Sequence, residues 1–424
     1  MQFKSILLAA LAATWGLLSS SAQAQGLGLL PDGFSWNAIP AAFNLGGPQS
    51  GSCVQGVGCA DPAGDFAGVT GSGRRCRCWD SYGDVELLLW WTKGTHLPPL
   101  VTTSPAGTPR DAAGVLGEPG TTVLFGDGLA GQDLQVGGRV TMGWWLDGSH
   151  NFGVEGRFFA LEGDSTTFFA QSTGDPILGI PFFNPALPGE DAFLVAFPGV
   201  SEGSVRVNFT NDLFGTEVLG RMMMRRDQLR RVDLLAGYQF LRLDDDLRIN
   251  SLVTSTDPLS PIPIGTTIDL FDRFRGRNEF HGGVVGLSGS MARGCWSLNG
   301  TAKVGLGNMR QTVVIEGSQT ATIPNSPGTT TPSGLFAQAS NIGTRTQDHF
   351  CFIPEVTLGL RYHFTDCLAA SVGYNLIWMS DVVLGADHID RVVDLSQVTA
   401  RPAFTFEDTD YWVQGLNLGL HYDF

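Results

Sequence analysis

After residue 24 the chain has no run of the roughly 18 consecutive apolar residues that a membrane-crossing helix requires. Charge is scarce as well: 16% of the residues are Asp, Glu, Lys or Arg, against the usual quarter, although 43% are hydrophobic. A net charge of −15 leaves no basic excess, which argues against the phosphate-neutralising stripe of a nucleic-acid binder. There is no Gly-rich phosphate loop, zinc-protease helix motif or nucleophile elbow. What the chain has in quantity is glycine, 56 of 424 residues, with 27 Phe and 10 Trp. Glycine and aromatics in alternating strands suit a β-barrel in lipid, where every backbone N–H and C=O must be paired internally and a closed sheet achieves this without a long apolar run.

The N-terminus sets the compartment. Lys4, the apolar run Ile6 to Leu18, Ser19-Ser20-Ser21 and Ala22-Gln23-Ala24 have the three regions of a secretory signal, with cleavage expected after Ala24. No cysteine follows that cut, so a lipid anchor is not expected; a buried N-terminal helix is the plainer alternative. Seven cysteines in an exported chain imply an oxidising space and at least one thiol without an intrachain partner. Cys53, Cys59, Cys76 and Cys78 crowd a Gly/Pro-rich segment, 25–79, expected to be periplasmic or to lie in the lumen. Their spacing lacks the paired C-x-x-C knuckles of a zinc site, so disulfide staples of open connectivity are the better reading.

From Asp80 onward alternating segments recur, and they are expected to be strands at 81–93, 137–147, 151–162, 204–224, 231–245, 271–291, 295–316, 347–364, 368–380 and 411–424. Their connections alternate in length, with long Pro/Gly/Ser/Thr-rich spans such as 94–136 and 163–203 and tight turns such as Gly148 to His150 and Ala292 to Gly294. Short periplasmic turns and long extracellular loops are the layout of a transmembrane antiparallel up-and-down β-barrel over 80–424, all-β, with about ten strands, or twelve if a long loop hides a hairpin. On 347–364, Phe350, Phe352, Val356, Leu358, Leu360, Tyr362 and Phe364 share one face and Glu355, Thr357, Gly359, Arg361 and His363 the other, the split expected of a lipid-facing wall. Pro354 on that strand removes a ladder donor and is read as a bulge. The span 165–202 has no Lys or Arg but six Phe, and is expected to fold over or into the barrel mouth.

These residues resemble the seventh putative β-barrel-porin family of bacterial outer-membrane proteins. The likeness rests on VELLLWWTKGTHLPPLVTT from Val85, GVLGEPGTTVLFG from Gly114, GGRVTMGWWLD from Gly137 and FGVEGRFF from Phe152. RVDLLAGYQFLRLDDDL from Arg231, GYNLIWMSDVV from Gly373 and DYWVQGLNLGLHYDF from Asp410 continue it, so that it covers roughly 80–424. The resemblance implies an exported barrel in the outer membrane of a Gram-negative-type bacterium and a suspected porin, with no reaction, catalytic residue or cofactor to carry over. It also gives meaning to the end of the chain, where Leu416, Leu418, Leu420, Tyr422 and Phe424 alternate with small or polar residues. That row resembles the assembly signal by which insertion machinery recognises barrels, and an unpaired terminal strand can add to a sheet edge through its main chain.

The inward faces of the expected strands give acids Glu86, Glu155, Glu217, Asp233, Glu279 and Glu355 against bases Arg139, Arg157, Arg221, Arg275, Arg277, Lys303 and Arg361. These nearly cancel, and in a bore of about ten strands such side chains are expected to pair and fill the lumen. The expected function is therefore a narrow or largely closed channel or surface scaffold, the alternatives being an open diffusion porin, a surface-binding protein, or an outer-membrane protease. His281, His363 and His421 fall on expected inward faces and Asp387, His388 and Asp390 form a polar cluster in the last loop, but no partner constellation is visible. No enzyme activity, metal or cofactor is expected; outer-membrane lipid, the insertion machinery and small solutes or ions are the expected partners.

Overall fold

The structure, a computed structural model, describes residues 80–424 apart from 366 and 397. The signal segment, the 25–79 segment and Cys53, Cys59, Cys76 and Cys78 lie outside the described residues; Cys295 is disulfide-bonded and Cys351 carries a free thiol.

Ten antiparallel strands close into a ring: β1 (Ser81–Thr92), β2 (Leu134–Trp145), β3 (Phe152–Leu161), β4 (Ser201–Arg226), β5 (Arg230–Ser255), β6 (Thr267–Arg293), β7 (Trp296–Thr322), β8 (Gly343–His363), β9 (Leu368–Val382) and β10 (Thr409–Asp423). Each pairs with its chain neighbours, and β1 pairs with β10 to complete the ring, Leu89 opposite Leu416 and Tyr82 opposite Asp423. Two further strands, Asp164–Ser172 beside upper β4 and Thr329–Thr331 beside β7, join the sheet outside the ring. Two to six residues link β2 to β3, β4 to β5, β6 to β7 and β8 to β9, and the other connections are long, as the loop lengths predict.

Period-two alternation explains the outer surface. Val85, Leu87, Val218, Val285, Leu287, Leu298, Val356, Leu358, Val372 and Leu418 are all exposed, an apolar band that water would not tolerate and lipid suits. Aromatic pairs edge it, Trp296 with Tyr362 and Tyr422 with Phe424 at the short-turn end, Phe352 with Trp378 higher up. No helix among the described residues is long and apolar enough to cross a membrane.

The four central staves, β4 to β7, are 26, 26, 27 and 27 residues long, whereas about 9–11 residues suffice to cross lipid. More than half of each therefore rises beyond the membrane, and there the sense of the faces inverts. Above Phe240 the outward positions of β5 are Arg242, Asp244, Asp246 and Arg248, while the inward Leu241, Leu243, Leu247 and Ile249 are buried. On β6 the outward positions are Arg273, Arg275, Arg277 and Glu279, and the inward Asp272, Phe274, Asn278 and Phe280 are buried. Arg275, Arg277 and Glu279 thus stand on the outer wall rather than in the lumen. The polar-inside rule holds only where the outside is lipid. His281 is also outward, its Nδ1 2.6 Å from the Tyr238 hydroxyl at the upper edge of the apolar band.

The long loops fill the tall upper barrel. Leu97, Leu100, Val101, Ile180, Phe182, Val195, Phe336, Val383 and Val393 pack against Val205, Phe209, Phe274, Val313 and Ile315 of the wall in one buried core. The six-Phe span supplies two strands of a small sheet, Ile177–Asn184 and Gly189–Ala196, which joins Val101–Ser104 and Thr122–Phe125 over the mouth. Inward polar side chains hold the loops through backbone groups. Asn278 exchanges two 2.8 Å bonds with Val383, Asp245 accepts the N–H of Gly385 at 2.7 Å, and Asp272 accepts those of Leu335, Phe336 and Ala337. Gly276 makes this approach feasible, since a Cβ there would lie 2.3 Å from Asp245 Oδ1. Pro354 is not at a bulge. The β7–β8 register runs through it unbroken, and pairing of β8 with β9 begins only at Glu355, so on that side no ladder bond is forfeited.

Candidate functional site in the lower lumen

The inward row of β1 is Tyr82, Asp84, Glu86, Leu88 and Trp90. The lumen repeats this sequence in layers: polar at the short-turn end, ionic above it, apolar above that.

The ionic layer is built from cross-strand neighbours. Glu86 opposes Arg139, Glu217 opposes Arg157 and Lys303 opposes Glu355 in the ladders, so each charge meets its opposite through the register alone. Arg139 Nη2 donates to Glu86 Oε1 at 2.9 Å. Arg157 also reaches beyond its neighbour. Its Nη1 and Nη2 donate to the two Glu355 oxygens at 2.6 Å each, and Glu355 stands on β8, five staves away in either direction round the ring. Opposite walls of the barrel therefore touch. Lys303 Nζ donates to Glu217, 2.6 Å to Oε1, and lies 3.2 Å from Glu355 Oε2; Arg157 Nε lies 2.7 Å from Glu217 Oε1, close enough to pair in charge though poorly aligned for a hydrogen bond. Arg157, Lys303, Glu217 and Glu355 make a neutral set of four with side chains 10% exposed or less. Burying such charges is tolerable only with this matching.

Toward the short-turn end, Arg221 donates to Glu155, the Tyr82 hydroxyl and Asp233. Arg231 takes the other side of Asp233 at 2.8 Å, and Arg361 and His421 share Asp84, both at 2.9 Å. The Tyr82 ring lies across Gly143, its ladder partner, where a Cβ would come within 2.1 Å of the ring. Above the ionic layer Leu88, Trp90, Leu241, Phe280, Met309, Ile353 and Ile377 are all buried. Trp90 Nε1 donates to Asn417 at 2.7 Å and its ring meets Phe159 at 5.5 Å.

Ten of the thirteen sequence-derived charges, Glu86, Arg139, Glu155, Arg157, Glu217, Arg221, Asp233, Lys303, Glu355 and Arg361, lie on the inner wall and are brought into these contacts. Arg275 and Arg277 instead converge on Asp244 outside, with Arg277 Nε at 2.8 Å, and Glu279 lies 3.7 Å from Arg242 there. Tyr82, Asp84 and Arg231 were missed, although counting by twos from Glu86 and Asp233 reaches all three. In the assembly row, Leu416, Leu418, Leu420 and Tyr422 face outward, and the Phe424 N–H donates to Ser81 O at 2.9 Å. In the last loop His388 is a packing residue: Nδ1 donates to Leu384 O, the ring stacks on Phe404 at 5.3 Å, and burial holds its pKa below the usual value. Asp390 accepts from Arg401 and from the Ala403 and Val392 backbones.

A closed antiparallel ring with an apolar outer band and a polar-to-apolar packed interior defines a ten-stranded transmembrane β-barrel. The model of the putative beta barrel porin-7 (BBP7) family matches residues 82–424, and the chain belongs to that family of outer-membrane barrels. No curated protein matches the chain. Among solved structures it is similar to the outer membrane protease OmpT from Escherichia coli, at 12% identity over 82% of this chain and 98% of that one, with a TM-score of 0.37. It is also similar to a FadL homologue of Pseudomonas aeruginosa, at 8% identity over 81% and 90%, with a TM-score of 0.22. Neither likeness carries an argument about function.

Proposed function

We propose that this barrel is closed along its bore and serves as a scaffold that carries its packed outer loops, rather than as an open diffusion porin. The observation that supports this best is the bidentate Arg157–Glu355 pair joining opposite walls at 2.6 Å, directly beneath a fully buried apolar layer. Ions or small solutes would have to break a neutral buried ion set and then cross a tightly packed, largely apolar layer, two barriers in series. In this reading the protein is no enzyme. Its partners are the lipid of a Gram-negative-type outer membrane around the apolar band and the insertion machinery at Leu416 to Phe424.

Ion conductance of the refolded protein in a planar bilayer tests the reading. The expected result is no steady current, unchanged in Arg275→Ser/Arg277→Ser because those side chains are outside the bore. Large, stable, weakly selective currents from the parent protein would overturn it.

A further inference from the structure

We propose that the short-turn end of the lumen is a binding site for a small inorganic oxyanion of the phosphate type. A cavity of about 190 Å³ opens there, and Tyr82, Arg221, Arg231, Asp233, Arg361 and His421 are among its walls. A tetrahedral oxyanion and two or three waters, each with a share of about 30 Å³, fit that space.

The sign of the ligand follows from which hydrogen-bonding capacity is already used. Both Asp233 oxygens are taken by Arg221 and Arg231. Asp84 Oδ1 receives Arg361 and His421, while Asp423 Oδ1 lies 3.3 Å from the other nitrogen of His421. Of the two carboxylates on the cavity wall only Asp423 keeps an oxygen without a partner among the described residues, against three guanidiniums. The guanidiniums do have capacity to spare: no acceptor among these residues lies against Nη1 of Arg231 or Nη1 of Arg361, and each guanidinium carries five donors. Ser288, Ser290 and Asn299 add neutral donors around the same space. His421 faces a carboxylate with each ring nitrogen, which fixes the ring beside the guanidiniums. Glu155 and Asp84 sit behind Arg221 and Arg361 and fix the guanidiniums, so a ligand meets oriented donors without having to order them. Trp145 stacks Arg231 from the side, 4.2 Å from the ring centroid, and holds it flat. The site lies at the short-turn end and does not depend on whether the lumen conducts.

Titration calorimetry of the refolded mature protein with inorganic phosphate is the direct test, with calcium chloride as the cation arm. Saturable one-to-one phosphate binding is expected, weakened about tenfold, or 1.4 kcal/mol, by Arg361→Gln. Asn299→Asp places a carboxylate on the cavity wall without removing an ion pair, and should abolish binding while the β-sheet circular dichroism and heat-shifted electrophoretic mobility stay those of the parent. The proposal fails if the folded parent does not bind phosphate saturably, if Asn299→Asp binds as the parent does, or if calcium binds in its place.

Discussion

Replacing Glu355 by leucine leaves two buried cations, Arg157 and Lys303, sharing the single carboxylate of Glu217. At about 4 Å and an effective dielectric near 20, each lost attraction is worth on the order of 4 kcal/mol before desolvation is counted. Breaking a buried pair from one side typically costs about 3–5 kcal/mol. Arg157→Met has the mirror-image effect, leaving two carboxylates to one ammonium. The double variant leaves Lys303 and Glu217, already 2.6 Å apart, as a balanced pair, and should recover much of either loss. A coupling of roughly 2–3 kcal/mol is therefore expected, at the upper end of what contacting residues show. Urea unfolding of the protein in lipid vesicles, followed by tryptophan fluorescence, measures all four corners of the cycle. Losses that add to within about 0.5 kcal/mol would refute the claim that the four charges act as one unit across the bore.

Two further outcomes concern the ends of the molecule. Phe424→Ala keeps the backbone bond to Ser81 and removes a ring that lies over Gly83 and in edge contact with Tyr422, so the refolded variant should lose about 1 kcal/mol while the chain accumulates unassembled in the periplasm; normal surface levels in cell fractionation would contradict the assembly role. In the last loop, burial, followed by the charge of Glu407 and against Lys93 and His96, raises the Asp387 carboxyl from 3.8 to about 6. A raised folded pKa means that the stability it contributes is full below about pH 4 and is lost as pH rises through 6. Limited proteolysis of residues 383–408 should accelerate across that window in the parent and stay flat in Asp387→Asn, and an unchanged pH profile in the variant would count against the assignment.

The ring was legible because period two and loop length are local signals. Every expected strand has its counterpart, and all strand ends except the upper ends of β5 and β7 are placed to within four residues. Those two were not, for a physical reason. β5 was expected to stop at 245, where its outward face changes from Tyr238 and Phe240 to Arg242 and Asp244 and no longer suits lipid, yet it continues to Ser255. That same change in surroundings misplaced Arg275, Arg277 and Glu279: charge marks the inner face at Glu217 and the outer face at Arg275, and only depth tells the two apart. The cross-lumen pair was beyond sequence reasoning altogether, because that Arg157 meets Glu355 depends on ring closure and not on any spacing along the chain.

The staves are of unequal height. β1, β2, β3, β9 and β10 have 10–15 residues, and the tall β4 to β7 stand together on the other side of the ring. Insertions should accordingly be tolerated very unevenly around the rim. Residues added between Val383 and Val393 would have to find room inside a closed core, whereas the tip of the β5–β6 hairpin is largely exposed, Leu259 to 92%. A foreign epitope spliced between Pro258 and Pro263 would be carried on the tallest part of the wall, and the lineage of this chain could lengthen that hairpin without repacking anything beneath it.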